Sequence, residues 1–201
     1  DDKAMEYYVE ALQFAREQND TLFMSTVFNN MANLRADQGD LKAALELHHD
    51  ALRLREKIGR AYYISGSLLN IGGIHQRLEN FRLAEQYFRQ AMAVAEGMAD
   101  AYTVSMAHYN LGFIAVALGD TLRGVKHVQK AITIADSLNY LDFSIIYHEF
   151  LGDIYIEQKR HKEALHHKQL VFEKKEKSYK VALEQELAML QTRFELSRKE
   201  Q

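Results

Sequence analysis

The sequence predicts an all-α chain assembled from repeated helix pairs, and three observations carry that expectation. The first is composition: 201 residues include no proline, no cysteine and no tryptophan, while Ala, Leu, Glu, Gln, Lys and Arg, which lose little side-chain freedom in a helix, are abundant. The second is a period. Steps of 40 along the numbering, starting at Asn30, meet Asn30-Met31-Ala32, Asn70-Ile71-Gly72, Asn110-Leu111-Gly112 and Phe150-Leu151-Gly152 with no insertion, the signature of a repeat architecture. The third is the placing of small residues. Ala44, Ala84, Gly124 and Ala164 lie twelve residues beyond the residues 32, 72, 112 and 152, and Ala51, Ala91, Ala131 and Val171 seven further. Small residues at fixed places on successive helices let one backbone approach the next.

The connections follow the same period. Gln38-Gly39-Asp40, Leu78-Glu79-Asn80, Leu118-Gly119-Asp120 and Gln158-Lys159-Arg160 separate the paired helices. Gly39 and Gly119 suit a left-handed C-cap, and the aspartate after each suits the N-cap of the next helix. The pair Gly72-Gly73 costs about 1 kcal/mol per glycine in a helix interior. The period accounts for Gly72 as the small packing residue of its repeat.

Composition also excludes several functions. With 47% hydrophobic and 26% charged residues the chain reads as a soluble globular protein. The net charge of 25 minus 28, or -3, argues against a nucleic-acid binder that works by neutralising phosphates. No run of 18 apolar residues occurs, so direct membrane insertion is not expected. The chain opens Asp1-Asp2-Lys3 with neither an initiator methionine nor a signal peptide and reads as a piece of something longer. Without cysteine there is neither a disulfide framework nor a thiolate zinc site. The clusters His48-His49 and His161, His166, His167 lack the i, i+4 spacing that presents two imidazoles to one metal, so no metal and no cofactor are expected. Catalysis has no support either, since there is no cysteine nucleophile, no phosphate loop and no Ser-His-Asp or paired-carboxylate set on a shared face.

The quoted repeats resemble the tetratricopeptide repeat, whose signature is a small residue after leucine, an aromatic three beyond it and small residues twelve and nineteen beyond it. Gly152, Tyr155, Ala164 and Val171 form the fullest set; Arg35, His75 and Ala115 replace the aromatic elsewhere, and the proline that usually ends each repeat is missing throughout. The resemblance implies a right-handed superhelical solenoid over residues 1–178, a half-repeat at about 4–20 followed by four repeats starting near 23, 61, 101 and 141, and then a long C-terminal helix, 179–201. It places His108 and His148, where the family has a bulky packing residue, at the edge of the core. It also implies a concave groove lined by Asn29, Asn30, Asn33, Asn70, Gln76, Arg77, Tyr109, Asn110 and Asp153, with Gly73 leaving the groove floor open. Related proteins use asparagines at this place to hold the backbone of an extended partner, which matches the donors and acceptor of a side-chain amide. The alternative is that each asparagine bonds the neighbouring helix. Arg77 is the expected positive charge of the groove.

The C-terminal stretch from His161 runs on to Gln201 with no Gly, Pro or capping signal. Phe172, Glu176, Tyr179 and Leu183, then Leu187, Leu190 and Phe194, keep a heptad-like seam with one stutter. The first part is a candidate cap on the last repeat. Leu183, Leu187, Leu190 and Phe194 are the candidate dimer seam, a two-stranded parallel coiled coil. The wording LEQELAMLQTRFELSRKEQ resembles the connector that follows tetratricopeptide sensor regions in bacterial signalling proteins and leads to a diguanylate cyclase, a histidine kinase or a DNA-binding output, with the diguanylate cyclase favoured. The resemblance implies a non-catalytic peptide- or protein-binding input domain, dimeric, in the periplasm as part of a membrane-anchored receptor. The alternatives are a constitutive scaffold and a cytoplasmic location.

Overall fold

The computed structural model describes the backbone of residues 2–199 and the side chains of residues 3–193. Among them are nine α-helices and no strand: α1 (Asp2–Glu17), α2 (Thr21–Asp37), α3 (Leu41–Ile58), α4 (Ala61–Arg77), α5 (Phe81–Glu96), α6 (Ala101–Ala117), α7 (Thr121–Ser137), α8 (Leu141–Glu157) and α9 (His161–Lys199). The chain forms two compact units, Asp1–Ala131 and Ile132–Gln201. No helix among the described residues is long and apolar enough to cross a membrane.

One backbone device ends every helix before α9. A residue in the left-handed region recurs every 20 positions: Asn19, Gly39, Gly59, Glu79, Ala99, Gly119, Asn139 and Lys159, with φ between 53° and 88°. The amide of the residue after each of these reaches back to a carbonyl five positions earlier, as in Asp40 N–H to Arg35 O at 2.9 Å and Asn80 N–H to His75 O at 2.9 Å. This is a Schellman closure, which satisfies carbonyls that the helix end leaves open. Gly39 and Gly119 behave as the sequence predicts. Glu79, Ala99 and Lys159 adopt the same conformation without being glycine. Asp20, Asp40, Asp100 and Asp120 then accept the N–H of Phe23, Ala43, Thr103 and Arg123 at 2.9 to 3.2 Å and start the next helix.

In the first unit the second helix of each pair buries one narrow seam. On α5 it is Ala84, Phe88, Ala91 and Ala95, all fully buried, at steps of 4, 3 and 4 that keep one helix face inward. On α3 the same seam reads Ala44, His48, Ala51 and Arg55, so two polar side chains stand where α5 has Phe and Ala. The first helices α4 and α6 are buried over most of their circumference. Gly72 meets Phe88 so closely that a Cβ there would lie 2.6 Å from the ring. Gly112 and Gly124 let α6 and α7 touch backbone to backbone, since a Cβ on Gly112 would lie 3.0 Å from Gly124 O.

The second unit joins the last residues of α7 to α8 and α9. Ile145, Tyr147, Leu151, Ile154 and Tyr155 on α8 and Ala164 and Val171 on α9 are buried. Lys168, Lys174 and Lys175 on α9 pair with Asp153, Asp136 and Glu149 at 2.5 to 2.7 Å. Beyond Val171 the helix buries little. Phe172 and Tyr179 stand 71% and 73% exposed, so the stripe that was a candidate cap is not covered. Leu183, Leu187 and Leu190 are also exposed, while the side chain of Phe194 lies outside the described residues.

Candidate functional site

The first helices of three successive pairs, α2, α4 and α6, line a cavity of about 470 Å³ in the first unit. Asn33, Asn70 and Asn110, one from each helix, reach it together with Arg77, and Gly73 forms part of its wall. A Cβ on Gly73 would meet nothing within 4 Å, so this glycine leaves open volume where Gly72, just before it, is in tight contact. His48, Leu69, Ile74 and Met106 supply the rest of a mixed polar and apolar surface.

The asparagines are not equivalent. Asn70 Nδ2 donates to Asn29 Oδ1 at 2.8 Å and ties α4 to α2. Asn110 Nδ2 donates to Met106 O of its own helix at 3.0 Å. The repeat period pairs Asn30 with Asn70 and Asn110, yet on α2 the cavity takes Asn33, one turn further along the same face. Asn30 is half-buried and stands outside the walls of this cavity and of the one beside it. Gln76 is half-buried, with its Oε1 enclosed and without a partner among the described residues, and it and Tyr109 lie outside the cavity wall. Asp153 belongs to the second unit, where it pairs with Lys168.

Arg77 Nη2 donates to Ala36 O at 2.7 Å, a second tie from α4 to α2, and Asp37 stands in the same cavity wall. Arg77 is not the sole cation of this surface. Arg55, 6% exposed on α3, lines a second cavity of about 220 Å³ beside Asn29 and Asn70. In the sequence it reads as an ordinary helix charge. The signal that would have found it is the period: the residues 40 positions either side are Ala15 and Ala95.

Histidines are buried in a pattern that the clusters along the chain did not reveal. His108 Nδ1 meets His127 Nδ1 at 2.9 Å, and one period later His148 Nδ1 meets His167 Nδ1 at 2.8 Å, each contact bridging the two helices of one pair. Burial, then the facing imidazole, pushes His108 and His167 down to about 4. His48 falls to about 4 through burial, then through Arg55 and His49. These rings are neutral spacers at physiological pH. Among the described residues no group of three His, Cys, Asp or Glu side chains gathers to hold a metal. What the surface offers chemically is amide donors and acceptors, two arginines and open volume.

Residues 23–97 match the tetratricopeptide repeat family. No curated protein matches the chain. Among solved structures the chain is similar to BtubC (BKLC) from P. vanneervenii, at 21% identity and TM-score 0.77, over 88% of this chain and 74% of that one. It is similar to aspartyl phosphate phosphatase F from Bacillus subtilis, at 12% identity and TM-score 0.81, over 87% of this chain and 46% of that one. A Rap protein complexed with competence and sporulation factor matches at 17% identity and TM-score 0.77, over 85% of this chain and 48% of that one. The chain thus spans less than half the length of the last two. At these identities the likeness shows the fold, an all-α arrangement of tetratricopeptide-like helix pairs.

Proposed function

We propose that this chain is a non-catalytic module that binds an extended peptide or protein segment, and that it serves as the input domain of a bacterial signalling protein. One observation carries the reading: side-chain amides from three successive first helices, Asn33, Asn70 and Asn110, converge on one open cavity. A peptide backbone presents alternating N–H and C=O groups, and an amide can answer both. Gly73 leaves room for that backbone to come close to α4. The signalling part of the reading rests on the tail. The helix α9 is 39 residues long with Leu183, Leu187 and Leu190 exposed, a stripe suited to pairing with a second copy and to passing a change to an output module such as a diguanylate cyclase. A periplasmic location within a membrane-anchored receptor belongs to the same reading, with the cytoplasm as its alternative.

The second reading is a constitutive scaffold. The bonds from Asn70 to Asn29 and from Arg77 to Ala36 favour it, because they already fix α4 against α2 without a ligand.

The test is isothermal titration of a partner segment recovered by affinity capture, against the native protein and the Asn70→Ala/Asn110→Ala variant. Loss of two or more backbone hydrogen bonds, each worth about 0.5–1.5 kcal/mol, weakens binding at least about fivefold. Unchanged affinity with a lowered thermal midpoint would make the asparagines internal struts and remove the basis of the proposal.

A further inference from the structure

The tail helix α9 is fastened to the last pair by unusual chemistry. Each second helix carries four positions at steps of 3, 4 and 3, which share one face. On α5 they are Ala84, Tyr87, Ala91 and Val94, all apolar or aromatic; on α9 they are Ala164, His167, Val171 and Lys174. Half of the α9 set is therefore titratable. Lys174 pairs with Asp136 at 2.7 Å, and His167 meets His148 of α8. The residues 80 positions before these two histidines are Leu68 and Tyr87, which belong to one apolar cluster. An apolar contact in the second repeat is thus a histidine pair in the last.

The geometry of that pair fixes how many protons it takes. His148 Nδ1 and His167 Nδ1 stand 2.8 Å apart, a hydrogen-bond distance that holds one proton on the line and excludes two. His148 Nε2 is enclosed, with Asp136 Oδ2 at 3.8 Å. An N–H faces that carboxylate favourably, whereas a bare nitrogen would set a lone pair against it. His148 is therefore the Nε2–H tautomer and accepts at Nδ1, and His167 donates from Nδ1. A first added proton enters at His167 Nε2 and keeps the bond. A second sets N–H against N–H and parts the rings.

The neighbouring groups do not relieve this. Asp136 on α7 is shared with Lys174 and Ser144. Glu149 and Asp153 on α8 are taken by Lys175 and Lys168. His166 stands edge-on to His167, and Tyr155 stacks on it beneath Arg160, which pairs with Glu163. Burial lowers His148 despite Asp136, and burial, then His148 and His166, lowers His167 to about 4.

We propose that the junction of α8 and α9 is an acid-released latch: at neutral pH the shared proton holds the tail helix on the last pair, and charging of both rings frees it. That release uncouples the output module is a consequence that rests on the input-domain reading above; the latch itself does not. Freed imidazoles charge at about 6.5, so the latch is closed above that pH and loosens as pH falls toward about 4. The one proton that the docked pair cannot take favours release by about thirtyfold between pH 7.5 and pH 5.

The experiment is amide hydrogen exchange of the whole chain at pH 7.5 and pH 5, read by mass spectrometry with labelling times scaled to the intrinsic rate. Opening of residues 161–175 is expected to rise at least about tenfold more than opening of 81–96, which contains no histidine. His148→Leu with His167→Tyr copies Leu68 and Tyr87 and should remove that excess while keeping protection at pH 7.5. His148→Phe with His167→Leu, which copies Phe28 and Leu47, should do the same and stands in if the first variant fails to fold. Long-range nitrogen-15 spectra of the native protein at pH 7.5 should show His148 protonated at Nε2 and His167 at Nδ1. Equal acid response of the two segments overturns the latch, as does an excess that survives the apolar pairs, or both rings protonated at Nε2 at pH 7.5. None of these outcomes bears on the peptide titration, so the latch and the groove reading fail separately.

Discussion

Gly72→Ala and Gly73→Ala make the same chemical change at adjacent positions of α4 and should have opposite effects. Both remove a helix-interior glycine, which on its own stabilises by about 1 kcal/mol. At Gly73 nothing opposes this, because the new methyl meets no atom within 4 Å. At Gly72 it would lie 2.6, 2.8 and 3.1 Å from three carbons of the Phe88 ring. Carbon atoms pack at about 3.5–4.0 Å, so the ring must retreat by about 1 Å. Phe88 is fully buried, and close-packed interiors leave little free volume for such a retreat. Overpacking of this kind costs about 1–3 kcal/mol, so Gly72→Ala nets between about 0 and 2 kcal/mol of destabilisation, while Gly73→Ala gains about 1. The propensity term is common to both variants, so the difference, about 1–3 kcal/mol, measures the packing alone. Urea unfolding followed by far-ultraviolet circular dichroism reads it as a difference in midpoint at equal slope. Midpoints that move together for the two variants would refute the argument and place Phe88 somewhere other than on Gly72.

Three further outcomes follow from other parts of the chain. Ala99→Gly, at φ 55°, should stabilise by about 1 kcal/mol in the same urea assay by relieving a left-handed alanine; a loss of stability would show that the Cβ carries packing there. His48, His108 and His167 lie at about 4 in the fold against about 6.5 when unfolded. Below pH 6.5 the unfolded state therefore binds more protons, and stability that is full above about 6.5 is lost as pH falls through about 4, by up to about 1.4 kcal/mol per pH unit for each ring. Urea midpoints that match at pH 7 and pH 5 would count against buried neutral histidines. Light scattering across a concentration series should show a dimer that Leu187→Glu with Leu190→Glu dissociates; a monomer throughout would remove the coiled coil.

The helix pairs were legible in the sequence because close packing leaves a mark that repeats: a Cβ on Gly72 would press on Phe88 and one on Gly112 on Val128 and the Gly124 carbonyl, so the period survives in the size of these residues. The helix ends were only partly legible. Gly39 and Gly119 advertise a left-handed cap through their conformational freedom, but Glu79, Ala99 and Lys159 reach it because the Schellman bonds around them offset the local preference. Of the asparagines the sequence placed in the groove, Asn33, Asn70 and Asn110 line the cavity, whereas Asn30, the periodic partner of Asn70 and Asn110, stands outside its wall. Arg55 was hidden for a different reason. Among helical charges an arginine is ordinary, and only its burial on the seam, beside Ala15 and Ala95 in the period, sets it apart. The imidazole pairs were missed because His108 and His127 sit on different helices, at a spacing set by how the two helices cross and not by either helix alone.

The left-handed residue at every twentieth position bears on how this chain can change in length. Any two helix ends one full period apart share one closure, one cap position and one set of small residues. A segment such as 61–100 could therefore be copied or excised, and the new junction, Arg60 followed by Ala101, would meet the same backbone geometry as the old. Lengthening by whole pairs of helices leaves every seam in register, whereas a small insertion inside any pair misplaces the left-handed residue and the small packing residues relative to the next helix. The number of asparagine-bearing first helices, and with it the length of the surface they line, is free to vary by whole steps.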